Sequence, residues 1–543
     1  MKNICVGYFI FIMLLAPVVF PVLGDLPEKI TKTSVDEYPL PPPMTIEMLL
    51  EESICRRLST RTFTSATVTD EDLSTILWAA YGVTADGNRS IYNPDGRYST
   101  IIYVIRSDAT YIYVPENHSL ALFKSGNYLH LGQYTAPIKF GLVWDMDMET
   151  EELRGMADIG MVAQNIYFQA NALDLGMVTT GMYVEELYDL GIPSNEKPEI
   201  IMPLGHPSSP YDFTYNPLPP ANLPSVVNNT LCLAEAISHR KIITLWDDSL
   251  LTLQEQSEIL WSAYGYSYLW DNVNNKRHRT LPSAIGYYPF KVFMANQSGV
   301  YQYLPSTHAV TEILLGDMRE AIKNCIDYGT IILDTASMII IPCWDTNSGS
   351  TQYQHFWYYE NGAIIHNILL EASALNLSSN VIYDITDETG LRTALGITGQ
   401  TNIIPLSVVP VGYPYTTPNT APDKPDIDGQ LQGKAGTAYS YRFTTIDPDG
   451  DDVYYYIRWG DGKTKDWDGP HISGEGVEFS HTYADQGIFI IEAKAKDSVG
   501  AESAWATLEV SMPLTKEIPL LLLYLCKRCP HVFQILQYFL SSS

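Results

Sequence analysis

The hydrophobic pattern begins with one apolar run at the N-terminus. Residues 4–23 are almost wholly apolar, follow Lys2 and end before Gly24. A short positive region, an apolar run and a small residue at its end are typical of a secretory signal peptide. The sequence therefore predicts a signal peptide over 1–24, followed by a Pro-rich linker over 25–44. An uncleaved anchor is the alternative, because about 20 apolar residues can span a bilayer.

Apolar positions further along the chain follow helical and strand periods in turn. They recur at helical spacing from Leu73 to Ala80, behind a candidate N-cap at Thr69. Two alternating strands, a long apolar helix and a final strand are predicted at 101–105, 111–114, 156–173 and 199–204. Helices and strands mix without strict alternation, which predicts an α+β fold.

The chain contains two copies of this pattern. Four motifs recur in the same order: ILWAAYG at 76 as ILWSAYG at 259, YxYxPxxH at 111 and 301, GxxxxN at 160 and 362, and PxGxP at 203 and 410. The offset rises slowly from 183 to 207 residues, as small loop insertions would produce. We interpret residues 45–218 and 225–416 as two repeats of one domain.

The remaining sequence has a different pattern. Residues 419–512 contain short alternating strands at 439–444, 453–459, 488–494 and 506–510, separated by Asp-Gly turn formers. This pattern predicts a small all-β sandwich. The tail, 513–543, carries two apolar pieces that are each too short to span a bilayer.

Charge narrows the class of function. The chain has 33 Lys and Arg against 62 Asp and Glu, a net charge of -29. A nucleic-acid binder needs a basic face, so this balance argues against nucleic acid as a partner. A charged fraction of only 17% and 37 tyrosines suit an exported protein.

One segment carries candidate chemistry by residue type. Arg57, Ser59 and Arg61 alternate along the chain, which places two guanidinium groups and a hydroxyl on one side of an extended segment. Arginine forms bidentate, charge-assisted hydrogen bonds, so the arrangement suits a phosphate group. A solvated surface strand is the alternative interpretation.

Several motifs together resemble the nitroreductase-like FMN-dependent oxidoreductases. In the first repeat these are RxSxRxF from Arg57, LWAAYG from Leu77, Gln164-Asn165, Gly181, and PLGHP from Pro203. In the second repeat, PSAIGYYP over 282–289 is similar to a stretch of the SagB-type dehydrogenase branch. The resemblance covers about 45–416. It implies a dimeric fold with flavin at the subunit interface, so two fused repeats are expected to form a pseudo-dimer within one chain.

The resemblance also implies which residues hold FMN. The first repeat keeps Arg57, Ser59, Arg61 and Gly181, whereas the second has Arg240, Ile242, Thr244 and Tyr383 at those positions. The second repeat keeps Pro282, Ser283 and Ala284, where the first has Tyr92, Asn93 and neighbouring residues. The losses are complementary, which predicts one composite FMN site per chain. Random decay of both sites is the alternative.

Other site residues are less well defined. His206 and His366 are candidates for proton transfer by residue type alone, and a structural role is the alternative for each. No catalytic residue is assigned, and no metal site is predicted. The family also has a basic residue for the phosphate near its last strand, and the dozen residues after Gly205 contain none. This gap argues against tight flavin binding.

The C-terminal β region resembles PKD-type Ig-like domains through WGDG at 459, HTY at 481 and Asp497. Such domains serve as spacers or adhesive modules. The acidic turn over 447–452 is interpreted either as a calcium ligand set or as a solvated turn. Together these features predict a secreted or cell-surface FMN-dependent oxidoreductase for a small organic or peptide substrate, with an unidentified electron partner. In this prediction the PKD domain and tail provide surface association. The alternative is a non-catalytic surface protein built from decayed repeats.

Overall fold

The computed structural model describes residues 37–513 apart from 210–212, 220, 228, 230, 328–330, 332, 416–418 and 499. The predicted signal peptide, most of the linker and the tail lie outside the described residues. The chain divides into two compact units, Met1–Pro414 and Tyr415–Ser543. None of the described helices is both long enough and apolar enough to cross a membrane.

The first repeat is an antiparallel sheet packed against helices. Its elements are α1 (Leu50–Arg56), α2 (Asp70–Tyr81), α3 (Glu152–Ala172), β1 (Glu37–Pro39), β2 (Thr100–Ile105), β3 (Ala109–Val114), β4 (Ser119–Ser125), β5 (Ile138–Asp145), β6 (Gly176–Met177) and β7 (Glu196–Gly205). The strand order is β1-β4-β3-β2-β5-β7-β6. Strand β1 lies within the predicted linker, so the sheet extends further toward the N-terminus than the repeat boundary at residue 45.

The second repeat has the same sheet order. Its helices are α4 (Leu233–Ser238), α5 (Leu253–Tyr264), α6 (Arg319–Lys323), α7 (Gln354–Ala374) and α8 (Glu388–Ala394). Its strands, with β8 from the link between the repeats, are β8 (Phe213–Tyr215), β9 (Lys241–Ile242), β10 (Tyr266–Asp271), β11 (Lys276–Arg279), β12 (Phe290–Asn296), β13 (Gly299–Leu304), β14 (Ala309–Leu315), β15 (Met338–Asp345), β16 (Ser378–Ser379), β17 (Ile403–Pro405) and β18 (Val409–Gly412). The order β14-β13-β12-β15-β18-β16 reproduces β4-β3-β2-β5-β7-β6. The predicted duplication is therefore a structural duplication.

Local sequence explains where the equivalent helices α2 and α5 begin. Thr69 accepts a hydrogen bond from the backbone N–H of Asp72, and the Asp72 side chain reciprocates. Thr252 and Glu255 form the same capping box at the start of α5. Each box satisfies N–H groups that a helix leaves unpaired at its first turn. The predicted N-cap at Thr69 is confirmed.

The two repeats meet where α3 crosses α7. Gly160 lies against the carbonyl oxygen of Tyr359, and Gly362 lies against that of Ala157. An added Cβ at either glycine would come within 2.1 Å of that oxygen. Because Tyr359 and Ala157 are also equivalent positions, the contact has an internal two-fold symmetry, and the glycines let the helix backbones approach closely.

Polar side chains repeat the symmetry at the same crossing. Gln164 Nε2 donates to Asn367 Oδ1 at 2.9 Å, and His366 Nε2 lies 2.7 Å from Asn165 Oδ1. All four residues are buried. The long helices are buried on nearly all sides because each is enclosed by its own sheet and by the other repeat. The predicted α+β pseudo-dimer is confirmed.

The C-terminal unit is a two-sheet β-sandwich. Its strands are β19 (Asp426–Gly429), β20 (Ala438–Thr444), β21 (Val453–Arg458), β22 (Thr464–His471), β23 (Val477–Thr482), β24 (Gly487–Asp497) and β25 (Ala506–Met512). The sheets are β19-β20-β23 and β22-β21-β24-β25. Alternation predicted four of these strands, but β19, β22 and β23 were missed because they contain few apolar residues. In the acidic turn, Asp447 Oδ1 accepts backbone N–H bonds from Asp449 and Asp451.

Candidate functional site: a basic cavity between the repeats

The structure brings all seven predicted flavin residues to one cavity of about 1210 Å³. From the first repeat, Arg57 follows α1, Ser59 and Arg61 continue the extended segment, and Gly181 follows β6. From the second repeat, the segment Pro282–Ala284 follows β11. The pseudo-two-fold arrangement places these distant segments together. The volume exceeds the roughly 300–1,000 Å³ of ordinary small-molecule sites.

Arg57 differs from its counterpart in the other repeat. Its side chain is buried, its Nε donates to the carbonyl of Arg279 at 2.9 Å, and its Nη1 has no hydrogen-bond partner. Arg240, at the equivalent position, donates through both Nη atoms to the carbonyls of Arg89, Ser90 and Ile91. A buried donor without a partner is costly. Arg57 therefore lines the cavity and keeps an unused donor of the kind that binds an anion.

The cavity is basic although the protein is acidic. No Asp or Glu is among its described lining residues. The lining includes five cationic residues: Arg57, Arg61, Lys276, Arg277 and Arg279. Three of the five come from β11 of the second repeat. From the sequence we expected weak phosphate binding, because the dozen residues after Gly205 contain no basic residue. In the structure, β11 of the other repeat brings positive charge to the cavity instead.

A neutral histidine lies among these cations. His278 lines the cavity, and its Nε2 lies 2.9 Å from Asp271 Oδ2. Burial, followed by the positive charge of Arg57, lowers the pKa of His278 to about 4 despite Asp271. At neutral pH its imidazole is therefore uncharged.

The pseudo-two-fold axis relates the cavity to a reciprocal position in the other half of the pseudo-dimer, and side chains occupy that position. Tyr383 replaces Gly181 and is buried, and the Arg154 guanidinium carbon lies 5.7 Å from the centroid of its ring. Arg154, which replaces Phe356, donates to both carboxylate oxygens of Asp384 at 2.7 Å and also pairs with Asp95. A large ring and an ion-pair network therefore occupy the reciprocal position.

The two histidines proposed from residue type do not line the cavity. His366 is buried at the crossing of α3 and α7, where burial holds its pKa well below the ordinary value. His206 faces the carbonyl of Thr67, with its Nε2 at 3.3 Å. The contacts of both histidines fit the structural alternative.

Sequence reasoning missed residues that helix α7 contributes to the cavity. Phe356 and Tyr359 line the wall, together with His355 just before them. Glu360 stands behind Ser283, with its Oε2 accepting the serine hydroxyl at 2.5 Å. The sequence did not point to these positions because α7 was recognised only through the glycine and asparagine that it shares with α3. The offset of 202 that aligns Gly160 with Gly362 also aligns Asp158 with Glu360, and that match could have revealed the acid.

Comparisons with known proteins agree with this architecture. The model of the nitroreductase family matches residues 54–206 and 237–413, which are the two repeats and more than half of the chain. The chain belongs to the nitroreductase family. The PKD domain family matches residues 431–510, so this family member carries a PKD domain after its two repeats.

Two archaeal relatives are similar in sequence. "Putative nitroreductase MJ1384" of Methanocaldococcus jannaschii is 31% identical over 181 residues, which are 29% of this chain and 91% of that protein. "Putative NADH dehydrogenase/NAD(P)H nitroreductase" of Methanothermobacter thermautotrophicus is 32% identical over 107 residues, which are 19% of this chain and 53% of that protein. Both names describe oxidoreductases, in agreement with the family.

Solved structures show similarity to each unit. A nitroreductase-type crystal structure from Anabaena variabilis covers 64% of this chain and 90% of its own, with 17% identity and a TM-score of 0.52. This span is longer than one repeat, so the fold similarity includes the paired arrangement. The PKD domain of an M14-like peptidase from a Thermoplasmatales archaeon is 51% identical over 18% of this chain and 99% of its own, with a TM-score of 0.18.

Proposed function

We propose that this protein is an FMN-dependent oxidoreductase of the SagB-type branch, with one composite flavin site per chain, that acts outside the cytoplasm. The observation that carries the proposal is the asymmetry of the pseudo-dimer. Seven residues from both repeats line one basic cavity, whereas Tyr383 and Arg154 fill the reciprocal position. The identity of the branch is supported by Pro282, Ser283 and the residues after them.

The residues present fit FMN. The unpaired Nη1 of Arg57 and the exposed guanidinium of Arg61 would bind the phosphate, and the Ser59 hydroxyl would add a hydrogen bond. Gly181 lines the cavity with its backbone, and its missing side chain leaves room for the Phe356 ring that forms the wall beside it. Pro282, Ser283 and Ala284 would contact it from the other repeat. Bound FMN supplies two-electron transfer, and the chain binds it, orients it and limits the access of water.

The cavity also indicates the class of substrate. Tyr353, Phe356 and Tyr359 provide aromatic surface in a lining that is otherwise rich in cations. Such a wall suits a small organic or peptide group with a flat ring or a negative charge. Export is supported by the apolar run over 4–23 and by the PKD domain, which suits display or attachment at a surface.

The decisive experiment counts flavin in the purified protein. Acid release followed by chromatography is expected to give one FMN per chain. Two per chain would contradict the closed reciprocal position. None after reconstitution with excess FMN would exclude the oxidoreductase and favour a non-catalytic surface module built from decayed repeats. Sequencing the N-terminus of protein secreted by the native cells tests export, with cleavage after Gly24 expected.

A further inference from the structure

A buried carboxyl group stands directly behind the cavity wall at Ser283. Glu360, on α7, is fully buried and is held by two hydroxyl groups. Ser283 Oγ lies 2.5 Å from its Oε2, and Tyr264 Oη lies 2.8 Å from its Oε1. Ser283 lines the cavity, so one hydroxyl group separates the acid from any ligand bound there.

The hydrogen bonds around Glu360 allow the Ser283 hydroxyl hydrogen to point in either of two directions. The Tyr264 hydroxyl accepts the backbone N–H of Phe290 at 3.0 Å, so its single hydrogen points to Glu360 Oε1. Ser283 Oγ accepts the N–H of Tyr288 at 2.8 Å. When Glu360 is charged, the Ser283 hydrogen points to the carboxylate. When Glu360 is protonated on Oε2, that proton points to Ser283, whose own hydrogen is then directed to the cavity.

The surroundings allow both forms of Glu360 near neutral pH. Burial raises its pKa to about 7, while the Ser283 and Tyr264 hydroxyls and the Arg279 guanidinium on β11 act in the opposite direction. The other titratable groups coupled to it are Tyr288, on the loop after Ser283, and Tyr359, its neighbour on α7. Burial raises the pKa of both phenols, so they stay neutral and Arg279 is the charged group facing the acid.

We propose that Glu360 stores a proton and delivers it to the cavity through the Ser283 hydroxyl during substrate reduction. This step rests on the proposed function. Two-electron reduction of a quinone-like acceptor takes a hydride, which the reduced cofactor supplies, and one proton. The Glu360 O–H bond breaks as a new Ser283 O–H bond forms, and the original Ser283 proton moves to the acceptor oxygen. Water entering the cavity returns the proton to Glu360 by the reverse route.

The other repeat provides a natural contrast. Asp158 occupies the position equivalent to Glu360, and Asn93 occupies that of Ser283. Asn93 Nδ2 donates to both oxygens of the Asp158 carboxylate at 3.1 Å. Burial raises the pKa of Asp158 to about 7, as it does for Glu360. An amide N–H does not release its proton, and the hydroxyl that contacts Asp158 among the described residues, Ser99 Oγ at 3.3 Å from Oδ2, is buried and does not line the cavity. Asp158 therefore lacks the hydroxyl at the cavity wall that Glu360 has, and it lies on the side where Tyr383 and Arg154 fill the reciprocal position.

Glu360→Gln tests the proposal against Asp158→Asn as the matched control. In flavin-free protein, infrared spectra from pH 5 to 9 should show carboxylic-acid absorption that titrates near neutrality, with one component from Glu360 and one from Asp158. Glu360→Gln should lose the first component and keep the second, and Asp158→Asn should do the reverse. In flavin-loaded protein reduced with dithionite, stopped-flow oxidation by p-benzoquinone should slow at least tenfold in Glu360→Gln and lose its pH dependence between pH 6 and 8. Asp158→Asn should keep the wild-type rate and profile.

Further variants separate the relay from a structural role. Ser283→Ala should abolish the pH dependence, and Ser283→Thr, which keeps a hydroxyl, should restore it. If Glu360→Gln fails to bind FMN, Glu360→Asp tests the proton step in its place. This variant keeps the carboxyl group and should therefore keep a pH-dependent rate. A flavin-loaded Glu360→Gln with the wild-type rate and profile would overturn the proton step alone. Wild-type protein that binds no FMN would overturn the proposed function and this step with it.

Discussion

Gly181 lies so close to Phe356 that no side chain fits between them. A Cβ built on Gly181 would come within 2.3 Å of Cε1 and 2.4 Å of Cζ of the phenylalanine ring. The backbone after β6 therefore packs directly against a ring from α7 of the other repeat. This contact fixes one wall of the cavity and explains why glycine is needed here, where the equivalent residue is Tyr383.

Gly181→Ala should lower the affinity of the cavity for FMN more than it lowers the stability of the fold. The added methyl group must displace the Phe356 ring, and the open side available to that ring is the cavity itself. We expect FMN affinity to fall at least tenfold, measured by fluorescence titration, with a small change in melting temperature. The double variant Gly181→Ala/Phe356→Ala should recover affinity. Unchanged affinity in the single variant would show that ligands do not approach this wall.

Arg61→Ala should weaken FMN binding without disturbing the fold, because the Arg61 side chain is exposed and donates only to the nearby carbonyl of Ser59 among the described residues. A hydrogen bond to a charged group contributes about 1.5–3 kcal/mol. Its loss should raise the dissociation constant roughly 10- to 100-fold. Thr244→Ala, at the equivalent exposed position of the second repeat, is the control. Equal affinities in both variants would place the phosphate elsewhere.

Gly160→Ala and Gly362→Ala should each separate the two long helices. In both cases the new methyl group meets a backbone carbonyl that cannot rotate away. Overpacking of this kind costs about 1–3 kcal/mol, and the internal symmetry predicts similar losses for the two variants. Denaturant unfolding of the whole chain measures the change. Stability unchanged by both substitutions would contradict the close crossing of α3 and α7.

Glu360 should also make stability depend on pH. Its pKa rises from an ordinary value of 4.5 to about 7 on folding, so the folded protein keeps a proton that the unfolded chain releases. The stabilisation is complete below pH 4.5 and is lost as pH rises to about 7. The free energy of unfolding of wild-type protein relative to Glu360→Gln should therefore fall across this window. A constant difference from pH 4.5 to 7.5 would show that Glu360 does not hold its proton in the folded state.

The sequence alone was sufficient to recognise the duplication and the outline of the site. Ordered motifs revealed two repeats because equivalent packing needs, such as the glycines of α3 and α7, recur at matching positions. Alternation of apolar residues located four strands of the β-sandwich, and failed for strands β19, β22 and β23, which contain few apolar residues. The complementary losses at the counterparts of Ser59, Arg61 and Ser283 predicted a composite site, because the hydroxyl and charged groups that would bind a phosphate are visible as residue types.

Only the tertiary structure showed which residues of the two repeats are in contact. Only the crossing of the repeats brings the cations of β11 to Arg57, so the positive charge missing after Gly205 could not be found by reading along the first repeat. His366 and Glu360 are both fully buried, and only their tertiary contacts distinguish them: His366 bonds Asn165 at the helix crossing, whereas Glu360 bonds Ser283 at the cavity wall. The closed reciprocal position likewise depends on Arg154 meeting Asp384 from the other repeat, a contact that sequence order cannot show.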